Sequence, residues 1–247
     1  MMNFDLKTKY KKNEIFFNPK LPKIGLFQLD LKESRHCVKV LRLSENNIIS
    51  VIDGKGNIAK CRIIKANSKA TELEIIKFNN YPNPIGKNIH IAISPTKNMN
   101  RFEWFLEKTV ELGIGEITPI ISENSEREKL NFQRLEKKII TSLKQSQNLF
   151  LPKINPLVNF KEFINLKFNN SQKFICHNGN STFKYLNNEL IKKEIYIIVI
   201  GPEGGFSEKE IQDSESFGFI KVLLGSSRLR TETAGIIACH TIHLFSS

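Results

Sequence analysis

Apolar residues in the first third of the chain come in short runs that alternate with polar positions and are separated by turn residues. Runs of this length and period are typical of β-strands. The predicted strands are Ile15 to Phe17, Gly25 to Leu29, Ile48 to Asp53, Ile58 to Lys65 and Thr71 to Ile76. Asp53-Gly54-Lys55-Gly56 is a hairpin signal, because glycine accepts the positive φ that tight hairpins need. Five short strands at this spacing predict a small β-barrel.

The pattern changes after a linker. The stretch from Asn79 to Gly86 contains Pro82 and Pro84, which oppose regular structure. We therefore predict a barrel over 1–78, a linker over 79–88 and a second domain over 89–247.

Residues 89–247 alternate between apolar runs and amphipathic helical patterns. The predicted strands are Ile89 to Ser94, Ile117 to Ile121, Lys173 to Cys176, Ile195 to Ile200 and Phe219 to Leu224. The first predicted helix runs from an Asn100-x-x-Glu103 capping box to a Gly113 C-cap. Two more cover 131–147 and 181–192. A fourth begins at the capping box Ser207-x-x-Glu210, and the last spans Glu232 to Leu244. This alternation predicts an α/β fold, a mostly parallel sheet with helices on both faces.

Composition narrows the class of protein. Hydrophobic residues make up 40% and charged residues 25%, and no run approaches the roughly 18 apolar residues of a membrane span. The polar N-terminus has no apolar segment of the kind that secretory signals need. The four cysteines lie far apart and form no Cys-x-x-Cys pair, which argues against a disulfide framework or a zinc site. We therefore expect a cytoplasmic protein that has no membrane or metal partner.

The formal net charge of +12 is concentrated near the N-terminus. Residues 1–80 hold 16 Lys and Arg against 8 Asp and Glu, which leaves +8 in the first third of the chain. Such asymmetry favours a part that faces nucleic acid, and the cluster Arg35, His36, Lys39 and Arg42 suits backbone phosphates. The abundance of Asn, Ile and Lys fits an AT-rich genome equally well, so charge alone leaves both explanations open.

Two loops near the C-terminus carry the strongest chemical signal. Ile200-Gly201-Pro202-Glu203-Gly204-Gly205-Phe206 and the stretch from Leu224 to Ala234 each follow an apolar strand and enter a helix. Such junctions place both loops at the carboxyl end of one parallel sheet, where α/β folds bind ligands. Neither loop is a Walker A loop or a Gly-x-Gly-x-x-Gly turn, and Glu203 would repel a phosphate. A cationic cofactor without phosphate fits better, which favours S-adenosylmethionine over a tight turn without a ligand.

Several other side chains could carry chemistry. Arg228, Arg230 and Glu232 lie at the start of the last helix, where arginine could hold an RNA phosphate or a developing uracil oxyanion, or could pair with Glu232. His177 follows a predicted strand and lies in the pocket or in a surface turn. His240 and His243 lack a third metal ligand. Glu103, Glu107 and Glu111 repeat every fourth residue, as in a solvated face, a subunit interface or a site edge.

Taken together, these segments resemble the RsmE family of 16S ribosomal RNA (uracil-N3) methyltransferases, in the SPOUT superfamily. The matching stretches extend from the barrel to the last helix. They are His36 to Leu43, Lys97, Arg101 to Trp104, Glu107 to Gly113, Gln145-Ser146, Ile200 to Ser207 and Leu224 to Ala234.

The resemblance implies a PUA-like barrel and an α/β domain whose C-terminus forms a deep trefoil knot. It implies a homodimer with the active site at the subunit interface, acting on 16S rRNA of the small ribosomal subunit. It also implies that backbone groups hold S-adenosylmethionine. We assign cofactor binding to His177, Ile200, Gly201, Pro202, Glu203, Gly204, Gly205, Leu224, Gly225 and Leu229, and RNA contact to Arg35, His36, Lys39, Arg42, Arg101 and Arg228.

Two stretches depart from the family pattern. Asn3-Phe4 and a lysine-rich stretch replace an N-terminal arginine, and Ser226-Ser227-Arg228-Leu229-Arg230 replaces Pro-Arg-Ile-Leu-Arg. Arg230 keeps its place, and we predict that it stabilises negative charge on a uracil oxygen. Glu232 is the predicted general base, with Glu203 as the second candidate. The alternatives are another RNA target, such as a ribose hydroxyl or a transfer RNA base, or an assembly factor without catalysis.

Overall fold

The computed structural model describes residues 14–82, 88–178, 184–193 and 195–246. The chain divides into two compact units, 1–82 and 83–247. Among the described residues, no helix is long and apolar enough to cross a membrane.

The first unit is built on a five-stranded sheet in the order β1-β3-β4-β5-β2. Its elements are β1 (Ile15–Phe17), β2 (Leu26–Gln28), α1 (Leu31–Arg35), β3 (Ile48–Ile52), β4 (Asn57–Lys65) and β5 (Glu72–Asn80). β1 pairs in parallel with β3, whereas the other pairs are antiparallel. All five predicted strands are confirmed, because inward-facing residues such as Phe16, Val51 and Cys61 alternate with exposed ones and form one core. A π-helical turn, His36–Val40, continues α1.

The second unit is an α/β layer structure whose sheet has the order β12-β10-β11-β6-β7-β8, with β9 paired to β7. All strand pairs among its described residues are parallel. The strands are β6 (Ile89–Ile93), β7 (Glu116–Ile121), β8 (Lys153–Ile154), β9 (Val158–Asn159), β10 (Ser171–Cys176), β11 (Ile195–Ile200) and β12 (Ile220–Val222). The helices are α2 (Met99–Glu111), α3 (Phe132–Ser146), α4 (Phe160–Ile164), α5 (Leu186–Glu189), α6 (Glu208–Ser216) and α7 (Thr231–Ser246).

Helices cover both faces of this sheet, as predicted. Ala92 belongs to the core cluster that contains Phe160 and Phe163 of α4 and Ile211 of α6. The next residue, Ile93, points to the other face because side chains alternate along a strand. There α7 packs against β6 and β11. The trefoil knot stays a prediction.

Three helix predictions need comment. The Asn100 capping box is wrong, because the cap lies two residues earlier: Asn98 Oδ1 accepts a hydrogen bond from the Asn100 N–H, 3.0 Å, and α2 begins at Met99. Gly113 does end this helix, with a φ of +79° and its N–H donated to the Val110 carbonyl. Within the described part of 181–192, only α5 is helical, because Leu190 already has an extended backbone.

Gly235 sets how closely α7 approaches α2 and β6. A Cβ added there would lie 2.6 Å from Phe105 Cδ2 and 3.2 Å from Ile93 Cδ1. Phe105 and Ile93 are themselves fully buried, so neither can move aside without disturbing the core.

We predict that Gly235→Ala lowers the free energy of unfolding by about 1–3 kcal/mol, because overpacking a dense core costs more than alanine gains in helix propensity. Chemical denaturation would measure the change. Lys209→Ala on the exposed surface of α6 is the control, and its effect should stay within about 0.5 kcal/mol. Equal stability of Gly235→Ala and the unmodified protein would contradict the packing argument.

Candidate active site

The carboxyl ends of β10, β11 and β12 meet at one edge of the sheet, because Cys176 is in register with Ile200 on one side and with Val222 on the other. The loops that follow these strands and the start of α7 enclose a pocket of about 530 Å³. Every residue assigned to the cofactor from the sequence lines this pocket: His177, Ile200, Gly201, Pro202, Glu203, Gly204, Gly205, Leu224, Gly225 and Leu229. Arg228 and Arg230 line it as well.

The first loop depends on its glycines. A Cβ on Gly201 would lie 3.0 Å from Phe206 Cε2, and one on Gly204 would lie 3.0 Å from Asn124 Cβ. Gly205 has a φ of +74°, a conformation that other residues rarely adopt. The predicted capping box then starts α6, since Ser207 Oγ accepts from the Glu210 N–H while Glu210 Oε2 accepts from the Ser207 N–H. The loop therefore presents its backbone to the pocket.

Hydrogen bonds to other segments fix this loop. Thr231 Oγ1 donates to the Gly201 carbonyl, 3.0 Å. Glu203 Oε1 accepts from the Lys97 N–H, 3.1 Å, and Arg228 Nη2 donates to the Glu203 carbonyl, 3.3 Å. The Glu203 carboxylate thus contacts the backbone of the β6–α2 loop.

The two predicted catalytic residues differ in environment. Arg230 is exposed at the pocket, and its guanidinium makes no hydrogen bond or ion pair within the described part of the chain. Glu232 is only 5% exposed and does not line the pocket. Its Oε1 lies 3.8 Å from Arg101 Nε, and among the described residues no group donates a hydrogen bond to its Oε2. Glu232 therefore pairs with Arg101 of α2 and not with Arg228 or Arg230 of its own loop.

Basic residues on two helices compensate the acidic stripe on α2. Glu103 Oε1 lies 2.5 Å from Arg134 Nε, and Glu107 pairs with Lys138, one helical turn further along α3. The hydrogen bond from Lys138 lowers the pKa of Glu107. Lys108 on α2 itself lies 2.9 Å from Glu111. The stripe therefore forms ion pairs where α2 packs against α3 and is not part of the pocket. A pattern within one helix could not reveal these partners.

The basic cluster of the first unit extends from α1 through the π-helical turn to Arg42 just after it. Arg35, Lys39 and Arg42 are exposed, whereas His36 is partly buried with its ring 6.0 Å from that of Phe16. The three exposed cations can reach a polyanion, whereas the histidine also serves the local packing.

Part of the pocket wall is apolar or chemically inert. Ile200, Leu224 and Leu229 supply apolar surface. Burial raises the pKa of the Cys176 thiol to about 12, so the thiol stays protonated near neutral pH and is a poor nucleophile. No group of three His, Cys, Asp or Glu that could hold a metal ion occurs among the described residues.

Comparison with known proteins agrees with this geometry. Residues 82–243 match the model of an RNA methyltransferase domain, and residues 29–76 match an RNA methyltransferase PUA domain. Ribosomal RNA small subunit methyltransferase E of Buchnera aphidicola is 32% identical over 90% of this chain and 92% of its own, and that of Mesomycoplasma hyopneumoniae is 33% identical over 81% and 86%.

Solved structures give the same result. A probable rRNA-methyltransferase from Porphyromonas gingivalis has a TM-score of 0.86 and 33% identity, covering 94% of this chain and 98% of that one. Ribosomal RNA small subunit methyltransferase E of Neisseria gonorrhoeae, bound to S-adenosyl methionine, has a TM-score of 0.84 and 28% identity over 94% and 97%. With its two domains matched in order and its relatives covered almost end to end, the chain belongs to the ribosomal RNA small subunit methyltransferase E family.

Proposed function

We propose that the protein methylates N3 of a uridine in 16S rRNA of the small ribosomal subunit, with S-adenosylmethionine as the methyl donor. The observation that carries the proposal is the meeting of two cofactor-type loops with Arg230, which has no partner among the described residues, at the edge of a parallel sheet. The names of the relatives support the substrate class. Ribosomal RNA as substrate implies action in the cytoplasm.

The pocket suits S-adenosylmethionine. Its volume of about 530 Å³ lies in the range of roughly 300–1,000 Å³ that is common for small-molecule sites. Gly201 and Gly204 leave the loop backbone free of side chains, so amides and carbonyls can line the ligand, and Leu224 and Leu229 supply apolar contact. When bound, this cofactor supplies an electrophilic methyl group.

Arg230 is the proposed catalytic residue. Uracil N3 carries a proton at neutral pH, and its loss leaves negative charge on the neighbouring carbonyl oxygens. A guanidinium beside these oxygens stabilises that charge and lowers the cost of deprotonation. The general base stays a prediction. To reach the uracil, Glu232 would have to leave Arg101, and Glu203 would have to release the Lys97 N–H.

Each of the two units is proposed to contact RNA. N3 lies on the Watson–Crick edge, so the target uridine must be unpaired or flipped out before it can react. The exposed Arg35, Lys39 and Arg42 suit phosphates, which add affinity without sequence selection. Arg101 and Arg228 are the proposed RNA contacts of the second unit.

A homodimer is proposed from the surface of α2 and α7. Trp104 on α2 is 44% exposed, and Leu244 and Phe245 on α7 are 63% and 44% exposed. These two helices pack against each other, and exposed large apolar side chains are typical of protein interfaces. The family resemblance implies that a second copy of the chain covers this surface.

Replacement of Arg230 by Ala should lower turnover at least about 100-fold while the Kd for S-adenosylmethionine changes less than about threefold, because one preorganised donor typically accounts for 10²–10³ in rate. Labelled S-adenosylmethionine and small subunits that lack the modification provide the assay, with calorimetry for binding. Lys209→Ala, which removes an exposed cation of α6, is the matched control.

The product identifies the function. N3-methyluridine in 16S RNA, found by mass spectrometry of nucleosides, is the expected result. Label on another nucleoside or on another RNA would refute the target. Cofactor binding without transfer to any ribosomal RNA would favour the assembly factor, and near-normal turnover of Arg230→Ala would remove that residue from the mechanism.

Combined replacement of Arg35, Lys39 and Arg42 by Ala should reduce the slope of log Kobs against log salt by about 2–3, because each lost phosphate contact contributes roughly 0.7–0.9. RNA binding at several salt concentrations measures the slope. Lys23, Lys65 and Lys69, also exposed in the first unit, form a control triple of equal charge. If both triples reduce the slope equally, the attraction is general and the cluster has no special role.

The double variant Trp104→Glu and Leu244→Glu should be a folded monomer, because two buried charges at a subunit interface cost more than the apolar contacts they replace. Light scattering after gel filtration gives the mass, and circular dichroism checks folding. Leu166→Glu, at an exposed apolar residue outside α2 and α7, should remain dimeric. A dimeric double variant would contradict the proposed interface.

A further inference from the structure

Glu203 joins three loops that are far apart in the sequence. Its Oε1 accepts from the Lys97 N–H, 106 residues away, at 3.1 Å. Its carbonyl accepts from Arg228 Nη2 at 3.3 Å. The residue therefore links the β6–α2 loop, the loop over residues 200–206 (the glycine loop) and the loop after β12. The last two line the cofactor pocket.

The partner of this carboxylate is itself anchored. Arg127 Nη2 donates to the Lys97 carbonyl, 2.7 Å, and Arg127 Nε donates to the Thr96 carbonyl, 3.3 Å. Lys97 Nζ also pairs with Glu126, 2.7 Å. The backbone around Lys97 is thus held by Arg127, and a loop that is hydrogen-bonded to the Lys97 N–H gains a fixed position.

The two ends of the glycine loop are held by other hydrogen bonds. Thr231 Oγ1 donates to the Gly201 carbonyl, and Asn124 Nδ2 donates to the Gly205 carbonyl, 3.1 Å. Glu203 therefore supplies the middle attachment of the loop. Its carboxylate is an ionised acceptor, and Arg228 at the Glu203 carbonyl is an ionised donor. Bonds with an ionised partner are roughly twice as strong as neutral ones.

We infer that Glu203 is a positioning residue: its carboxylate holds the glycine loop in the form that binds the cofactor, and it acts through the backbone N–H of Lys97. The inference rests on the proposed use of S-adenosylmethionine. A loop that is already ordered binds its ligand without a further loss of conformational entropy, so affinity should depend on this hydrogen bond. Direct attraction between the Glu203 charge and a cationic ligand is the competing explanation.

Glu203→Gln and Glu203→Ala separate the two explanations. Glutamine keeps an oxygen that can accept from the Lys97 N–H but removes the charge, whereas alanine removes both. We expect the Kd for S-adenosylmethionine, measured by calorimetry, to rise about tenfold for Glu203→Ala and less than about threefold for Glu203→Gln. Glu126→Ala is the matched control, since it removes the carboxylate that pairs with the Lys97 side chain and leaves the Lys97 amide bonded.

A second measurement needs no ligand. Hydrogen exchange of the peptides covering 95–98 and 200–206 should be faster in Glu203→Ala than in the unmodified protein, and unchanged in Glu203→Gln and Glu126→Ala. If the unmodified protein binds no S-adenosylmethionine, the proposed function fails and this exchange pattern still decides whether Glu203 holds the loop. Equal loss of affinity in Glu203→Gln and Glu203→Ala, or unchanged exchange in Glu203→Ala, would overturn the inference.

Discussion

The position of β11 between β10 and β6 is the constraint on which the rest of the second unit depends. Parallel pairing on both sides brings three strand ends to one edge, and the chain must return over one face of the sheet or the other between them. The covering helices follow from that requirement. The pocket follows as well, because loops that leave adjacent parallel strands converge. Apolar side chains buried along β6 and β11 supply the stabilisation that holds this arrangement.

Features encoded by neighbouring residues could be predicted from the sequence. The five strands of the first unit follow from alternation, and the Ser207 capping box follows from a spacing of three residues. The pocket-lining role of Ile200 to Gly205 could also be predicted, because strand–loop–helix order fixes the edge at which a loop emerges. The family resemblance extended this to Leu224, Gly225 and Leu229, which line the same pocket.

Features that depend on contacts between distant elements could not be predicted. Nothing near Glu232 in the sequence indicates Arg101, and nothing near Glu103 indicates Arg134, since each pair forms only when two helices pack. The start of α2 was misplaced because Asn98 and Asn100 are equally good caps locally, and tertiary context selects Asn98. The role of Glu203 was also hidden, because the sequence suggested a charge facing a ligand, whereas the carboxylate contacts a backbone amide of another loop.

The pairing of Ile89 with Tyr196 has a consequence for biosynthesis. Ribosomes add about 5–20 residues per second, so β6 leaves the ribosome roughly 5–20 s before β11 is available. During this interval one edge of a strand with five buried residues stays unpaired. Exposed apolar edges of this kind invite association between nascent chains. The yield of active protein should therefore depend on how fast residues 94–200 are translated, since that stretch separates the two strands in the sequence.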